Sequence, residues 1–192
     1  SESIINNYNA YTYGIAERNY DLLDITKPNI IENGGIQPFA ESKLYYNKIN
    51  NLIQKVAHLL GIKDGFLKGD LIISDNGDVY ILEVATRLSG GDFCETLIPI
   101  SLDFDYMKLC VLSSLNKINK FPPPDFKKFV SNKYFFPEKE GLIEDIIIDD
   151  KILNEEWLHK IEFYFKKGDI YNKPISHGTR FGVFVVFADT LN

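Results

Sequence analysis

The stretch that decides the fold reads Gly69-Asp-Leu-Ile-Ile-Ser-Asp-Asn-Gly-Asp-Val-Tyr-Ile-Leu-Glu83. Apolar, β-prone residues flank the dipeptide Asn76-Gly77, which tolerates the positive φ that a tight hairpin turn requires. The stretch therefore predicts two antiparallel strands. With a two-residue or four-residue loop centred on this dipeptide, opposed residues keep one sum of residue numbers, so Ile73 is expected to face Tyr80.

The last pair of this predicted ribbon brings two carboxylates together. The same register places Asp70 opposite Glu83, and opposed residues on antiparallel strands have Cβ atoms about 4.5 to 5.5 Å apart. Like charges at that distance destabilise a sheet, so a compensating charge is expected. Mg²⁺ is a natural choice, since proteins commonly hold it with one or two carboxylates, phosphate oxygens and water. The alternative is a solvated ribbon end, where the two acids repel weakly and bind nothing.

The residues around this pair resemble a known family. The segments Lys68-Gly-Asp70 and Glu83-Val-Ala-Thr-Arg87-Leu-Ser-Gly-Gly91 are similar to the metal-binding segment of ATP-grasp carboxylate-amine ligases, which include L-amino-acid ligases, biotin carboxylase and carbamoyl phosphate synthase. Upstream, the segments Ser1-Glu2-Ser3-Ile-Ile, Gly14-Ile-Ala-Glu-Arg18 and Glu32-Asn-Gly-Gly-Ile-Gln-Pro38 follow in the family's order. The resemblance is good over residues 1 to 115 and loose over the remainder.

The resemblance implies a fold, two bound groups and a set of site residues. The fold is α+β: the carboxy-terminal subdomain of the ATP-grasp fold, with an antiparallel sheet packed by helices and a small β-rich terminal lobe. The bound groups are ATP and Mg²⁺. Asp70 and Glu83 take the magnesium-ligand positions, and Arg87 takes the catalytic arginine position that contacts transferred phosphate or substrate carboxylate. The candidate cofactor-binding residues are Arg18, Glu32, Gly90 and Gly91.

One position departs from the family pattern. Many members carry Asn two residues after the second acid as a further metal ligand, whereas this chain has Ala85. A methyl group cannot coordinate a cation. Either Glu83 alone bridges two ions, or water replaces the missing oxygen, or the site is weakened, and the sequence leaves these alternatives open.

The activity implied by the resemblance is Mg²⁺-dependent formation of an amide or peptide bond through an acyl phosphate. Its substrates would be a small-molecule carboxylate and an amine. Two other functions stay open on the sequence alone. One is a catalytically decayed ATP-grasp module that binds or scaffolds, and the other is an ATP-grasp phosphotransferase that acts on another acceptor.

The nucleotide-gripping half of the family's fold has no counterpart in this sequence. It contains neither a Walker-type loop nor a Rossmann fingerprint. We therefore interpret the chain as a fragment of an ATP-grasp enzyme that needs the missing amino-terminal half as a partner. The isolated chain is expected to be inactive and to bind ATP weakly, and a homodimer is compatible with the sequence.

Composition excludes several classes of partner. A net charge of −6 over 192 residues gives no general attraction to nucleic acid or to an anionic membrane. No apolar stretch approaches the roughly 18 to 20 residues that span a bilayer. Cys94 and Cys110 lie in apolar contexts that favour buried reduced thiols over a disulfide framework. A cytoplasmic location is therefore expected.

Three helices are predicted in the first part of the chain. Apolar residues recur at helical spacing over Glu41–Leu60, with Ser42 as a candidate N-cap and Gly61 just past the end. A short helix is expected over Asp92–Ile98. A longer one is expected from Asp103 to about Leu115, with Asp103 as its cap.

A proline run marks the predicted domain boundary. Pro122-Pro-Pro124 interrupts regular structure, so we predict the carboxy-terminal part of an ATP-grasp domain over residues 1–120 and a small antiparallel β-rich subdomain over residues 121–192. Within that subdomain, β-rich stretches are expected at residues 129–136, 141–148, 161–165 and 183–187, with helical residues at 154–159.

Overall fold

The computed structural model describes residues 1–118 and 120–191 of the chain. Contacts divide the chain into two compact units. Unit 1 comprises Ser1–Ala16, Gln37–Lys128 and Leu191, and unit 2 comprises Glu17–Ile36 and Phe129–Thr190. The units differ from the predicted division at residue 120 because segment 17–36 supplies strands to the sheet of the tail. The division into domains 1–120 and 121–192 stays a prediction.

The chain alternates short antiparallel strands with a few helices. The strands are β1 Glu2–Asn6, β2 Asn9–Gly14, β3 Glu17–Asn19, β4 Gly34–Gln37, β5 Gly65–Ile73, β6 Val79–Ala85, β7 Phe129–Phe135, β8 Gly141–Leu142, β9 Leu158–Phe163, β10 Ile170–Tyr171 and β11 Gly182–Ala188. The α-helices are α1 Leu23–Thr26, α2 Ser42–Leu59, α3 Ile98–Leu102, α4 Tyr106–Ser114 and α5 Asp150–Leu153, and a π-helical turn over Phe93–Leu97 precedes α3. This mixture confirms the predicted α+β class.

Unit 1 is built on a four-stranded antiparallel sheet in the order β2-β1-β5-β6. Side chains alternate between the two faces of a strand, and α2 covers one face. On that face the hydroxyls of Ser3 and Thr12 hydrogen-bond at 2.9 Å, and Thr12 also donates to Asn50 Oδ1 on α2 at 2.9 Å. Ile53 of α2 is fully buried beside Gly69 of β5.

The opposite face of this sheet packs against the helices that follow β6. Ile4 of β1 and Tyr13 of β2 belong to a buried cluster completed by Cys94, Ile98, Leu102, Tyr106, Leu109, Cys110 and Phe121. Both cysteines are buried free thiols, as predicted. Burial raises the pKa of each thiol above its ordinary value, so neither is an activated nucleophile.

The helix predicted over Glu41–Leu60 is confirmed as α2. It ends because the N–H groups of Leu60, Gly61 and Ile62 turn back to carbonyls in its last turn, and Gly61 takes a φ of +69° that a side chain would oppose. The predicted N-cap is wrong by one residue. Ser42 is already helical, and Glu41 occupies the cap position without a side-chain hydrogen bond.

The predicted cap of the following long helix is also wrong. Asp103 takes a left-handed φ of +56° at the end of α3, and α4 begins three residues later. The cap is Asp105, whose carboxylate accepts a hydrogen bond from the N–H of Lys108 at 2.8 Å. The short helix expected over Asp92–Ile98 is a π-helical turn that runs into α3.

Unit 2 contains a five-stranded sheet in the order β3-β4-β7-β11-β9 and a two-stranded antiparallel pair of β8 and β10. Val130, Val183 and Val185 are fully buried in it. Gly34 allows β4 to approach β7 closely, because a Cβ there would lie 2.1 Å from the carbonyl oxygen of Asn132. Strands occur near each predicted β-rich stretch, but the stretch expected over residues 141–148 is a strand only at Gly141–Leu142, and β9 begins at Leu158 instead of residue 161. The helix expected over residues 154–159 is wrong.

That misplaced helix lies four residues earlier than predicted. α5 begins after Asp149, whose carboxylate accepts from the N–H of Lys151 at 2.9 Å. The chain then turns, and β9 already begins at Leu158. Within the described residues, no helix combines the length and the apolarity needed to cross a bilayer.

The packing of α2 yields a test of the unit 1 core. Ile53→Ala is expected to lower the free energy of unfolding by about 2 to 5 kcal/mol, since it leaves a cavity between α2 and β5. Leu59→Ala, at a residue of the same helix that is 85 % exposed, is expected to change it by less than about 0.5 kcal/mol. Urea unfolding of both variants measures the difference, and equal losses would contradict this packing.

Candidate functional site

The β5–β6 ribbon pairs Asp70 with Glu83, as the sequence predicts, but reaches that register by another route. Five residues separate β5 from β6, and a hydrogen bond of 2.9 Å from the N–H of Ser74 to the carbonyl oxygen of Asp78 closes a loop of three residues, Asp75 to Gly77. Only Gly77 takes a positive φ, of +81°, and a three-residue loop ending in such a residue is common in hairpins. The odd length shifts the pairing near the loop by one residue.

The predicted pairs near the loop are therefore wrong. Ile73 faces Val79 instead of Tyr80. A bulge then restores the predicted register, because Leu82 is an extra residue on β6 between the pairs Leu71–Ile81 and Asp70–Glu83. The two shifts cancel before the carboxylates are reached.

The two carboxylates, called the acidic pair below, converge on a single cationic atom. Lys68 Nζ donates to Asp70 Oδ2 at 2.7 Å and lies 3.9 Å from Glu83 Oε1. The side chains of Lys68, Asp70 and Glu83 are 11 %, 24 % and 65 % exposed. The pair thus has a buried side, which the ammonium occupies, and an open side toward solvent at Glu83.

Strand register explains why this lysine is there. Lys68 and Asp70 are two residues apart on β5 and therefore point to one face of the sheet. Across the strands, Lys68 is paired with Glu2 of β1 on one side and with Ala85 of β6 on the other. The small Ala85 side chain thus stands directly beside the lysine, at the position where the family pattern has a metal-binding Asn.

The candidate catalytic arginine lies just beyond β6. Arg87 is exposed, and its Nη1 donates to the carbonyl oxygen of Leu88 at 3.1 Å. Gly90 and Gly91 follow in an exposed turn, where Gly91 has a φ of +66° and a Cβ on Gly90 would meet no atom within 4 Å. Arg87 thus presents an exposed guanidinium, and Gly90 an uncrowded backbone, a few residues after the acidic pair in sequence.

A buried carboxylate anchors this turn to the sheet. Glu2 is fully buried, and its Oε2 accepts from Ser89 Oγ at 2.6 Å and from the N–H of Ser89 at 3.2 Å. Burial raises the pKa of Glu2, and the two hydrogen bonds from Ser89 oppose that shift. Glu2 therefore ties β1 to the segment that carries Arg87.

The other two candidate residues lie in unit 2, where they form an ion cluster. Glu32 Oε2 lies 3.3 Å from Arg18 Nη1, and Glu32 Oε1 lies 3.3 Å from Arg180 Nη2. Arg180 also donates from Nε and Nη2 to the carbonyl oxygen of Glu32, at 3.1 and 2.7 Å, and its guanidinium stacks 3.7 Å from the centroid of the Tyr134 ring. Arg180 therefore holds the segment before β4 in place.

His177 serves this cluster as a hydrogen-bond acceptor. The N–H of Glu32 donates to His177 Nε2 at 3.4 Å, which requires that nitrogen to be unprotonated. Burial lowers the pKa of His177, and the neighbouring Arg180 lowers it further. His177 is therefore a neutral acceptor at neutral pH.

A cleft of about 280 Å³ opens in unit 2 beside Arg18. Its lining includes Gly35, Ser131 and Lys133. Asn33 also lines it and is fully buried, and neither polar atom of its amide has a hydrogen-bond partner among the described residues. Arg18 thus contributes both to the ion cluster and to this cleft.

The donor set of unit 1 fits a hard divalent cation with few protein ligands. Carboxylate oxygens are the atoms that Mg²⁺ prefers, and it usually keeps several waters or phosphate oxygens as its other ligands. Both acids of the acidic pair reach one point within 4 Å, and the exposed side of Glu83 leaves room for other ligands. Within residues 1–118 and 120–191, no group of three or more His, Cys, Asp and Glu side chains could hold a metal.

Sequence reasoning missed three contacts of this region. Lys68 could have been found, since residues i and i+2 of a strand share a face. The other two contacts leave no local pattern in the sequence, because 87 positions separate Glu2 from Ser89 and 148 positions separate Glu32 from Arg180. The sequence located the candidate residues along the chain. It did not identify the side chains that hold the segments carrying them in place.

Comparison with protein-family models and with curated proteins gives no match. Solved structures do share the fold. The L-amino acid ligase from Bacillus licheniformis matches with a TM-score of 0.79 and 16 % identity over 98 % of this chain and 46 % of that chain. Phosphoribosylglycinamide synthetase from Anaerococcus prevotii matches with a TM-score of 0.76 and 16 % identity over 99 % of this chain and 47 % of that chain.

A third structure is the biotin carboxylase domain of the Hydrogenobacter thermophilus 2-oxoglutarate carboxylase. It has a TM-score of 0.61 and 15 % identity over 98 % of this chain and 41 % of that chain. Such identities establish the fold alone, and it is the fold of ATP-grasp carboxylate-amine ligases, as the resemblance of the sequence predicted. The chain spans less than half the length of each of these three proteins.

The burial of Glu2 generates a prediction about pH. A carboxyl whose pKa is raised on folding binds protons more tightly in the folded state, so stability falls as pH rises above its ordinary value of 4.5. Glu2→Gln removes this group, and the stability of the variant relative to the parent is expected to increase from pH 4.5 to 7. Urea unfolding midpoints of both proteins test this, and a difference independent of pH would contradict it.

Proposed function

We propose that this chain forms part of an ATP-dependent, Mg²⁺-dependent carboxylate-amine ligase that works through an acyl phosphate. The convergence of Asp70 and Glu83 on one point, at the end of one ribbon, is the observation that supports it most. The shared fold adds to this support. The biotin carboxylase domain with that fold was solved with MgADP and bicarbonate, and we extend the Mg-nucleotide preference to this chain as part of the proposal.

In this proposal the residues of unit 1 position phosphate. Asp70 and Glu83 hold Mg²⁺, which neutralises charge on the transferred phosphoryl group when bound. Arg87 is exposed and planar, so it can bind a phosphate or substrate carboxylate with two parallel hydrogen bonds. The backbone N–H group of Gly90, three residues further on in an exposed turn, is proposed to donate to an anionic group, and Gly91 is proposed to take part in the same binding. Such positioning supplies most of the catalysis in phosphoryl transfer.

The proposed reaction has two steps. A substrate carboxylate oxygen attacks the γ-phosphorus of ATP, the bond to the β,γ-bridging oxygen breaks, and ADP leaves. The amine of the second substrate then attacks the acyl carbon, loses a proton and expels inorganic phosphate, which leaves an amide. Arg18 and Glu32 are proposed as further cofactor-binding residues, with Arg180 keeping Glu32 in place.

The ligase activity is assigned to a longer or split assembly that also contains the missing half. Buried thiols suit a reducing compartment such as the cytoplasm. Carboxylate and amine are proposed as small molecules, and a homodimer is a compatible assembly. The relatives with this fold are more than twice as long as the segment of them that this chain matches.

The chain alone is expected to bind MgATP weakly, with a Kd well above the micromolar range, because the nucleotide-gripping segments of the fold are absent from the sequence. Titration calorimetry of the 192-residue chain with MgATP measures this. Micromolar or tighter affinity would contradict the division of labour proposed for the two halves.

The acidic pair gives a direct test of the ligase in the longer polypeptide that carries this chain. Glu83→Gln keeps the shape and removes the charge, and is expected to lower ADP release with a carboxylate and an amine roughly a hundredfold. Asp78→Asn is the matched control: the same kind of exchange at an exposed acid at the turn of the same ribbon, expected to leave the rate unchanged.

Hydroxylamine separates the ligase from its alternatives. A ligase traps its activated carboxylate as an acyl hydroxamate in step with ADP release. ADP release without hydroxamate would favour the phosphotransferase acting on another acceptor, and no ADP release with any acceptor would favour the decayed binding module.

A further inference from the structure

We propose that Lys68 is a built-in cation of the metal site and sets how tightly the acidic pair binds a divalent ion. The inference rests on the metal site of the proposed function and concerns a residue outside the assigned ligands. Its ammonium already occupies the point on which both carboxylates converge, 2.7 Å from Asp70 Oδ2 and 3.9 Å from Glu83 Oε1.

The position of Lys68 is fixed by the fold. Its side chain is 11 % exposed, and its backbone is held in the middle of the sheet between Glu2 and Ala85. On its β6 side the neighbour is the Ala85 methyl, which offers no polar group to draw the ammonium away from the acids. Burial strengthens the attraction between opposite charges, so the Lys68 ammonium stays close to both carboxylates.

Charge determines what this lysine does to a metal ion. Two carboxylates and one ammonium leave the site with a net charge of −1, whereas the acids alone would carry −2. A divalent ion that binds without nucleotide must share the acidic oxygens with the ammonium or displace it. Lys68 therefore weakens binding of the free ion and favours an ion that arrives together with anionic phosphate, which adds negative charge.

The test is Mn²⁺ binding to the 192-residue chain without nucleotide, followed by the electron paramagnetic resonance signal of the free ion. Mn²⁺ suits carboxylate and water ligands as Mg²⁺ does. Lys68→Met is expected to tighten Mn²⁺ binding roughly tenfold or more, because a unit charge at ion-pair distance from the ligands is removed. Lys68→Gln carries the same expectation if the Met variant fails to fold, and Lys68→Arg, which keeps the charge, is expected to stay within about twofold of the parent.

Lys48→Met is the matched control. It removes the same charge from a lysine whose Nζ donates to the carbonyl oxygen of Gly77 at 2.9 Å, at the opposite end of the ribbon, and is expected to leave Mn²⁺ affinity unchanged. Equal Mn²⁺ affinity in parent, Lys68→Met and Lys68→Gln, or weaker binding in either variant, would overturn the inference while leaving the metal site standing. Absence of Mn²⁺ binding in all of them would overturn the metal site as well.

Discussion

Two carboxylates that face each other across an antiparallel ribbon need a positive charge between them. Asp70 and Glu83 are placed in this way by the backbone register of β5 and β6, and Lys68 supplies the charge from within the protein. The features that suggest a function for unit 1 depend on this arrangement. It supplies two carboxylate ligands for the proposed divalent ion, and the same register places Lys68 beside Ala85.

The arrangement is supported from β1 as well as from the ribbon. Glu2 pairs with Lys68 across the sheet, and its buried carboxylate reaches the turn after β6 through Ser89. The acidic pair and the segment that carries Arg87 are thus both attached to the part of the sheet formed by β1, β5 and β6. The cost is a buried acid with a raised pKa, and this fixes the direction in which unit 1 stability should change with pH.

Sequence predicted the elements of this fold well where the signal is local. The helical spacing of apolar residues predicted α2, and Gly61 predicted where it ends. The β-forming residues around Asn76-Gly77 predicted the β5–β6 ribbon. The acidic pair was also predicted, although a three-residue loop and a bulge at Leu82 produced the register by two shifts that cancel. Helix starts were less accurate, because several acids and hydroxyls could serve as caps and only backbone geometry decides between them.

What the sequence could not give are contacts between distant segments. Segment 17–36 joins the sheet of the tail, so the compact units do not follow the proline run. Glu32 is held by Arg18 on the neighbouring strand and by Arg180 far along the chain, and no pattern in either segment announces the second contact. Lys68 is the exception, because residues two apart on a strand point to one face, so the sequence could have placed this lysine beside Asp70.

The most direct test of the account is a crystal structure of the chain soaked with Mn²⁺, with the ion located by anomalous scattering. We predict a peak at coordination distance, about 2.1 Å, from one carboxylate oxygen of Asp70 and one of Glu83, with the Lys68 ammonium moved out of the space between the two carboxylates. An ion bound elsewhere on the chain, with neither carboxylate coordinating it, would contradict this prediction.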